Sequence, residues 1–242
     1  MKTTITTLQK IALTALFLFC AQLTFAANYY AYKNQTVTIN TATSFAEYRW
    51  TYVSKADGTT NEVISGQTTA TLTQTFTVEG LYKLRIQVRN ADGCWSDVDA
   101  STDIDIFVLP DFTVTIAPDA GSSATYCTNV DAANRTKLKA TAAITGSVTL
   151  PSEVTIVLAD WYKPTSLAGD ITSLTALATG VDTYLLTETT VGAHYFVATG
   201  KYNIPTGRLI SIANGAVKSS VTTITINAAP TTPSITPVVI PN

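Results

Sequence analysis

Gly80-Leu-Tyr-Lys-Leu-Arg-Ile-Gln-Val-Arg89 decides the fold. Tyr82, Leu84, Ile86 and Val88 fall on one side of an extended chain, and Lys83, Arg85, Gln87 and Arg89 on the other. A strict period of two is the pattern of a strand with one buried and one wet face. Working upstream, Leu72–Val78 alternates in the same way and turns through Glu79-Gly80 into this strand. Phe45–Val53 sets Tyr48, Trp50 and Tyr52 against Glu47, Arg49 and Thr51. Gln35–Ile39 alternates too, and Ala27–Lys33 reads as an edge strand. Lys55-Ala-Asp-Gly58 and Asn90-Ala-Asp-Gly93 are turns, since Asp-Gly suits a backbone with positive φ. Downstream, Ile104, Ile106 and Val108 form a last inward-facing row before Pro110.

The pattern repeats. Trp50 precedes Gly80 by 30 residues, and Trp161 precedes Gly192 by 31, which marks a repeat of whole domains. The second copy reads as strands at Phe112–Ile116, Lys137–Thr141, Val154–Leu158, Thr183–Thr187, Ala193–Ala198 and Val221–Ile226. Leu109-Pro-Asp111 punctuates the boundary, because proline interrupts a ladder and aspartate favours a turn. The expected division is a leader over 1–26, domains over 27–110 and 111–227, and an extended tail over 228–242. The expected class is all-β, two tandem sandwiches.

The leader reading rests on Lys2 and Lys10, the apolar run Ile11–Phe19, and small residues around Ala26, the layout of a cleaved secretory signal. Its apolar run is too short to span a bilayer, so no membrane span is expected after cleavage. Cys20 follows Phe17-Leu-Phe19, without the small residue a lipid-attachment site needs. Charged residues make up 13% of the chain and the formal net charge is −2, which excludes the clustered cation surface of a nucleic-acid binder. Cys94 and Cys127 remain after cleavage, and an oxidising compartment permits a disulfide. In an extended tandem they would lie about 30–40 Å apart, against about 7 Å between Cα atoms for a bridge. An internal bond through a bent linker, intermolecular pairing and two free thiols all stay open.

Each half resembles an immunoglobulin-like sandwich, closest to the PKD-like and Ig-like repeats of bacterial surface proteins. The residues carrying the resemblance are Trp50, Thr75-Phe-Thr-Val-Glu-Gly-Leu-Tyr82 and Asn90-Ala-Asp-Gly-Cys-Trp-Ser96. The last run is similar to the end of the penultimate strand in large adhesin-like proteins of the Bacteroidetes. Ala229-Pro-Thr-Thr-Pro-Ser-Ile235 resembles linkers between such repeats. The resemblance places Tyr82 at the tyrosine corner, with Leu84 and Val37 where antibody-type domains carry cysteines, and Tyr195 and Val197 in the corresponding places of the second half. It also implies that an early cysteine pairs with a late one within a repeat, whereas here each half holds only one of the two.

Functional candidates are few. Arg49, Lys83, Arg85 and Arg89, with Glu47, should share the outer face of the first domain, and Trp95 lies in a nearby loop. That face, or the loop, is the candidate contact for glycan or protein. Asp97, Asp99, Asp103 and Asp105 alternate, which spreads carboxylates instead of converging them on a cation. His194 is the one histidine, and no nucleophile elbow, zinc helix motif or phosphate loop occurs, so no catalysis, cofactor or metal is expected. Ile235, Val238, Val239 and Ile240 form an apolar tail that could add to an open sheet edge, with Pro237 and Pro241 limiting its ladder. The function expected is an exported, non-enzymatic structural or adhesion protein of the cell surface, self-associating into a filament or layer. The alternative is a glycan- or protein-binding module.

Overall fold

The computed structural model describes residues 28–41, 44–212 and 215–233. The leader and the tail residues Ile235, Val238, Val239 and Ile240 lie outside these. Among the described residues there is no α-helix, and so none long and apolar enough to cross a membrane. The chain divides into two compact units, Met1–Pro110 with Ser147–Thr155 and Ile204–Ala213, and Asp111–Gly146 with Ile156–Asn203 and Asn214–Asn242.

The first unit contains β1 (Tyr29–Tyr32), β2 (Thr36–Asn40), β3 (Glu47–Ser54), β4 (Thr60–Val63), β5 (Thr71–Thr75), β6 (Gly80–Arg89) and β7 (Ile104–Leu109). One sheet runs β1-β7-β6-β3-β4 and the other pairs β2 with β5. All neighbours are antiparallel except β1 and β7, which run parallel. The alternating residues of β3 and β6 supply the inner face. Trp50, Tyr52, Tyr82 and Leu84 meet Val37 and Leu72 from the second sheet in one buried cluster. The indole of Trp50 donates to the Thr69 carbonyl at 3.1 Å, so its one polar atom is satisfied in the core. Tyr82 donates its hydroxyl to the Val78 carbonyl four residues upstream at 3.0 Å, the geometry of a tyrosine corner.

The segments Ser147–Thr155 and Ile204–Ala213 group with this unit, where the sequence reading assigns them to the second domain. The cause is the edge strand β1. Tyr30 N–H donates to the Arg208 carbonyl, Ile210 N–H donates to the Tyr30 carbonyl, and the Tyr30 hydroxyl donates to Glu153 Oε1 at 2.5 Å. Ile210 then packs against the core. Edge backbone groups need partners, and a distant stretch of chain supplies them here.

The second unit contains β8 (Phe112–Pro118), β9 (Thr125–Cys127), β10 (Lys137–Ile144), β11 (Thr155–Tyr162), β12 (Ala178–Thr179), β13 (Thr183–Leu185), β14 (Gly192–Asn203), β15 (Val217–Lys218) and β16 (Thr222–Asn227). One sheet runs β13-β10-β8 and the other β12-β11-β14-β16-β9, with β15 also on β14. β9 runs parallel to β16, as β1 does to β7 in the first unit. Trp161 donates to the Val181 carbonyl at 3.0 Å, stacks on Tyr184 and is fully buried. Both units are therefore all-β sandwiches built on the same plan.

The phase of β14 differs from the expectation. Gly192 pairs with Ile226 and His194 with Ile224, so His194 and Phe196 share the face of the buried isoleucines. Tyr195 and Val197 point to the opposite face. His194 therefore takes the place of Tyr82, and Phe196 that of Leu84. Its Nε2 lies 2.8 Å from the Thr190 carbonyl, again four residues upstream.

A cation–aromatic groove on the first unit

The register of β3 on β6 sets Glu47 beside Arg89, Arg49 beside Gln87 and Thr51 beside Arg85. These side chains, with Lys83, form the outer face because the odd-numbered positions of both strands point away from the core. Three of the four cations on this face are matched by acids. Arg85 grips Asp103 with two bonds of 2.6 and 2.8 Å, Lys83 lies 2.9 Å from Asp105, and Arg89 Nη1 lies 2.7 Å from Glu47. Arg89 also donates from Nε to the Gly93 carbonyl at 2.9 Å. The acidic run is thus divided. Asp103 and Asp105 neutralise the sheet face, and Asp99 accepts from Ser101 N–H to start a short turn. The Ser101 hydroxyl donates to the same carboxylate, and this bond, with the one from Ser101 N–H, holds the Asp99 carboxyl below its ordinary range.

Arg49 differs. Among the described residues it makes no ion pair, and its Cζ lies 4.2 Å from the centre of the Trp95 ring. Trp95 reaches it through the Asn90–Gly93 turn. Gly93 N–H donates to the Asn90 carbonyl, Asn90 N–H to the Cys94 carbonyl, and Cys94 N–H to the Asn90 side chain. This tight hairpin brings Trp95 opposite Arg89 and Ser96 N–H onto the Val88 carbonyl. β3 occupies the other flank of β6, so the half-buried indole lies across β6 to meet the guanidinium. A guanidinium over an indole is attracted by the ring quadrupole, and its N–H donors can still pair with another group.

Beside this pair opens a groove of about 550 Å³, walled by Glu47, Arg49, Ser65, Gln67, Thr68 and Trp95. It exists because β4 ends at Val63, where Ile64 N–H makes a last bond to the Trp50 carbonyl and the chain turns away through Gly66 and Gln67. The Gln67 side-chain oxygen accepts from Thr73 N–H at 3.3 Å, which fixes its orientation. Sequence reasoning nominated Arg49 and Trp95 separately. The groove wall at Ser65, Gln67 and Thr68 was missed, because an unpatterned polar loop carries no signal of what it faces.

The other nominated residues lie apart from this groove. Cys94 is an exposed free thiol in the hairpin, and Cys127 is a half-buried free thiol at the end of β9. His194 has its Nε2 on a backbone carbonyl, and no carboxylate or hydroxyl is bonded to its ring among the described residues. Among those residues no cluster of three potential metal ligands occurs.

No protein-family model and no curated protein matches the chain. Solved structures resemble it loosely. The fibronectin(III)-like modules of Clostridium thermocellum CbhA share 14% identity at a TM-score of 0.36, over 84% of this chain and 90% of that one. The three N-terminal domains of the bacteriophage RB49 highly immunogenic outer capsid protein share 14% at 0.41, over 85% and 69%. A 1.5-MDa bacterial ice-binding adhesin shares 10% at 0.33, over 84% and 63%. Likeness this loose carries nothing about ligand or role, since one sandwich architecture serves many functions.

Proposed function

We propose that this chain is an exported, non-catalytic adhesion module of the cell surface, which contacts its ligand through the Arg49–Trp95 groove of the first unit. The observation that carries the reading is the contrast within one sheet face. Lys83, Arg85 and Arg89 are neutralised by acids, while Arg49 is held on an aromatic ring at the mouth of a groove. A side chain already resting on a ring and left with open donors loses less entropy on binding than a free one, which favours a recognition site. The leader-like first 26 residues and the sparse charge support export.

The test is retention of the purified mature chain on bacterial cells and on insoluble cell-wall material. Trp95→Ala should abolish retention, and Lys201→Ala, at an exposed position of β14, should leave it intact. Equal retention of the two variants would reject the groove as the contact.

A second reading, self-association into a filament, draws support from β4. All four of its residues are exposed, and it forms one border of the five-stranded sheet. The apolar tail would be the donor segment in that reading.

A further inference from the structure

We infer that the groove takes an acidic glycan, a polysaccharide carrying carboxylates, with Arg49 pairing the carboxylate and the groove wall reading the sugar hydroxyls. This deepens the reading of the groove as the contact face and rests on it. Charge complementarity carries the argument. Among the described residues Arg49 is the one cation lining the groove, and Lys83, Arg85 and Arg89 on the same sheet face are each paired with an acid, so one positioned carboxylate at a time is what the groove selects. A planar guanidinium presents paired N–H donors that match a carboxylate in bidentate fashion. The indole beneath it favours this placement of the side chain.

The wall chooses between a sugar chain and an acidic peptide. Ser65, Gln67, Thr68 and Glu47 offer hydroxyl, amide and carboxylate groups. A sugar hydroxyl both donates and accepts, so it uses all of these. A peptide would need apolar slots for anchoring side chains. Of the wall's larger aliphatic side chains Ile64 is buried at 8% exposure and Val63 is 55% exposed, so the wall offers one aliphatic surface and not a row of anchoring slots. The Glu47 carboxylate at the rim accepts from a sugar hydroxyl and disfavours a second anion beside the one that Arg49 pairs. Its own charge is partly met by Arg89 at 2.7 Å.

The experiment is affinity electrophoresis of the mature chain through gels containing polygalacturonate, hyaluronate, fully methyl-esterified pectin, hydroxyethylcellulose or poly-L-glutamate, at physiological salt. The expected result is retardation by polygalacturonate or hyaluronate at least tenfold stronger than by the esterified or neutral polymers. Arg49→Gln and Trp95→Ala should each weaken it about tenfold or more, the scale of one lost charged hydrogen bond. Arg49→Lys should fall between, since a lysine keeps the charge and loses the fork. Circular dichroism and melting of each variant establish that the sheet is intact. Equal retardation by esterified or neutral polymers, lost in Trp95→Ala, would overturn the acidic preference and leave the groove standing. Retardation by polyglutamate as strong as by the acidic glycans would overturn the glycan assignment. Retardation indifferent to Arg49→Gln, or absent with every polymer, would overturn the inference, and retention on cells would then judge the groove by itself.

Discussion

Tyr82 and His194 hold equivalent places, two residues after the glycine that opens β6 or β14 and four after the carbonyl they contact. A tyrosine hydroxyl and an imidazole N–H perform one task, tying the incoming loop to the sheet. Tyr82→Phe should cost about 1 kcal/mol, the net worth of a hydrogen bond in a half-buried site, read from urea unfolding. His194→Tyr should cost less than His194→Phe, because only the phenol replaces the donor; equal costs would deny the corner role. At Tyr30 the same kind of bond becomes pH-sensitive. Its hydroxyl meets Glu153 at 2.5 Å, and Arg208 lies 3.6 Å from the same carboxylate. The Tyr30 hydrogen bond holds the Glu153 carboxyl below its ordinary range, while burial and Glu153 raise the Tyr30 phenol well above its own. A depressed carboxylate contributes stability above its unfolded pKa of about 4.3, lost as pH falls through the folded value. Tyr30→Phe should therefore be destabilised near neutral pH, with the gap to the parent narrowing below about pH 4. Parallel stability curves from pH 7 to 3 would rule the coupling out.

At the level of elements, legibility followed burial. Strands with one buried face announced themselves by alternation, as β3 and β6 do. The strands that escaped notice, β4, β9, β12 and β15, have two to four residues, and β4 is exposed throughout, so no apolar period marks them. The phase of β14 was misread because Tyr195 was matched to Tyr82 by residue type, whereas distance from the glycine selects His194. The Arg49–Trp95 pair was legible only in part, since the outer-face position of Arg49 follows from alternation but the path of Trp95 across β6 depends on hairpin geometry. The grouping of Ser147–Thr155 and Ile204–Ala213 with the first unit depends on contacts as far as 179 residues apart, which local pattern does not encode. The glycine that sets the phase is itself constrained. Gly80 and Gly192 adopt φ of +123° and +133°, a region closed to side chains. A Cβ at Gly80 would also lie 3.0 Å from the Ala56 Cβ, while one at Gly192 would meet nothing within 4 Å. Both alanine variants should lose about 1–3 kcal/mol from backbone strain, and Gly80→Ala the more, by urea midpoint. The reverse order would mean that the turn at Ala56 yields more easily than the strand.

For the whole molecule, the question between a binding module and a self-assembling subunit turns on sheet edges. Exposed edges template pairing with other chains unless they are covered or distorted. β1 is covered, since Tyr30 pairs with Leu209 and bonds to Arg208 and Ile210. β4 is open, but Asn61 adopts φ of +54°, which breaks the extended run an added strand would need. β9 and β12 have three and two residues, too short to template a ladder. Neither border of the first unit's larger sheet therefore offers a long flat edge, which leaves the tail and the borders β2, β5 and β8 of the smaller sheets as the routes to assembly. Light scattering and negative-stain microscopy of the mature protein, with and without residues 230–242 and with and without reductant, decide the matter. The expected result is one monomeric size in all four conditions, as a binding module requires. Oligomers lost on tail deletion would establish strand donation and displace the groove as the main function. Dimers lost only on reduction would trace to the exposed Cys94 thiol. Asn61→Val makes the edge argument sharper. A β-branched residue resists positive φ, so this variant should either lose about 1–2 kcal/mol or straighten β4 and associate. Association without the tail would show that the bend at Asn61 is what keeps the parent chain apart.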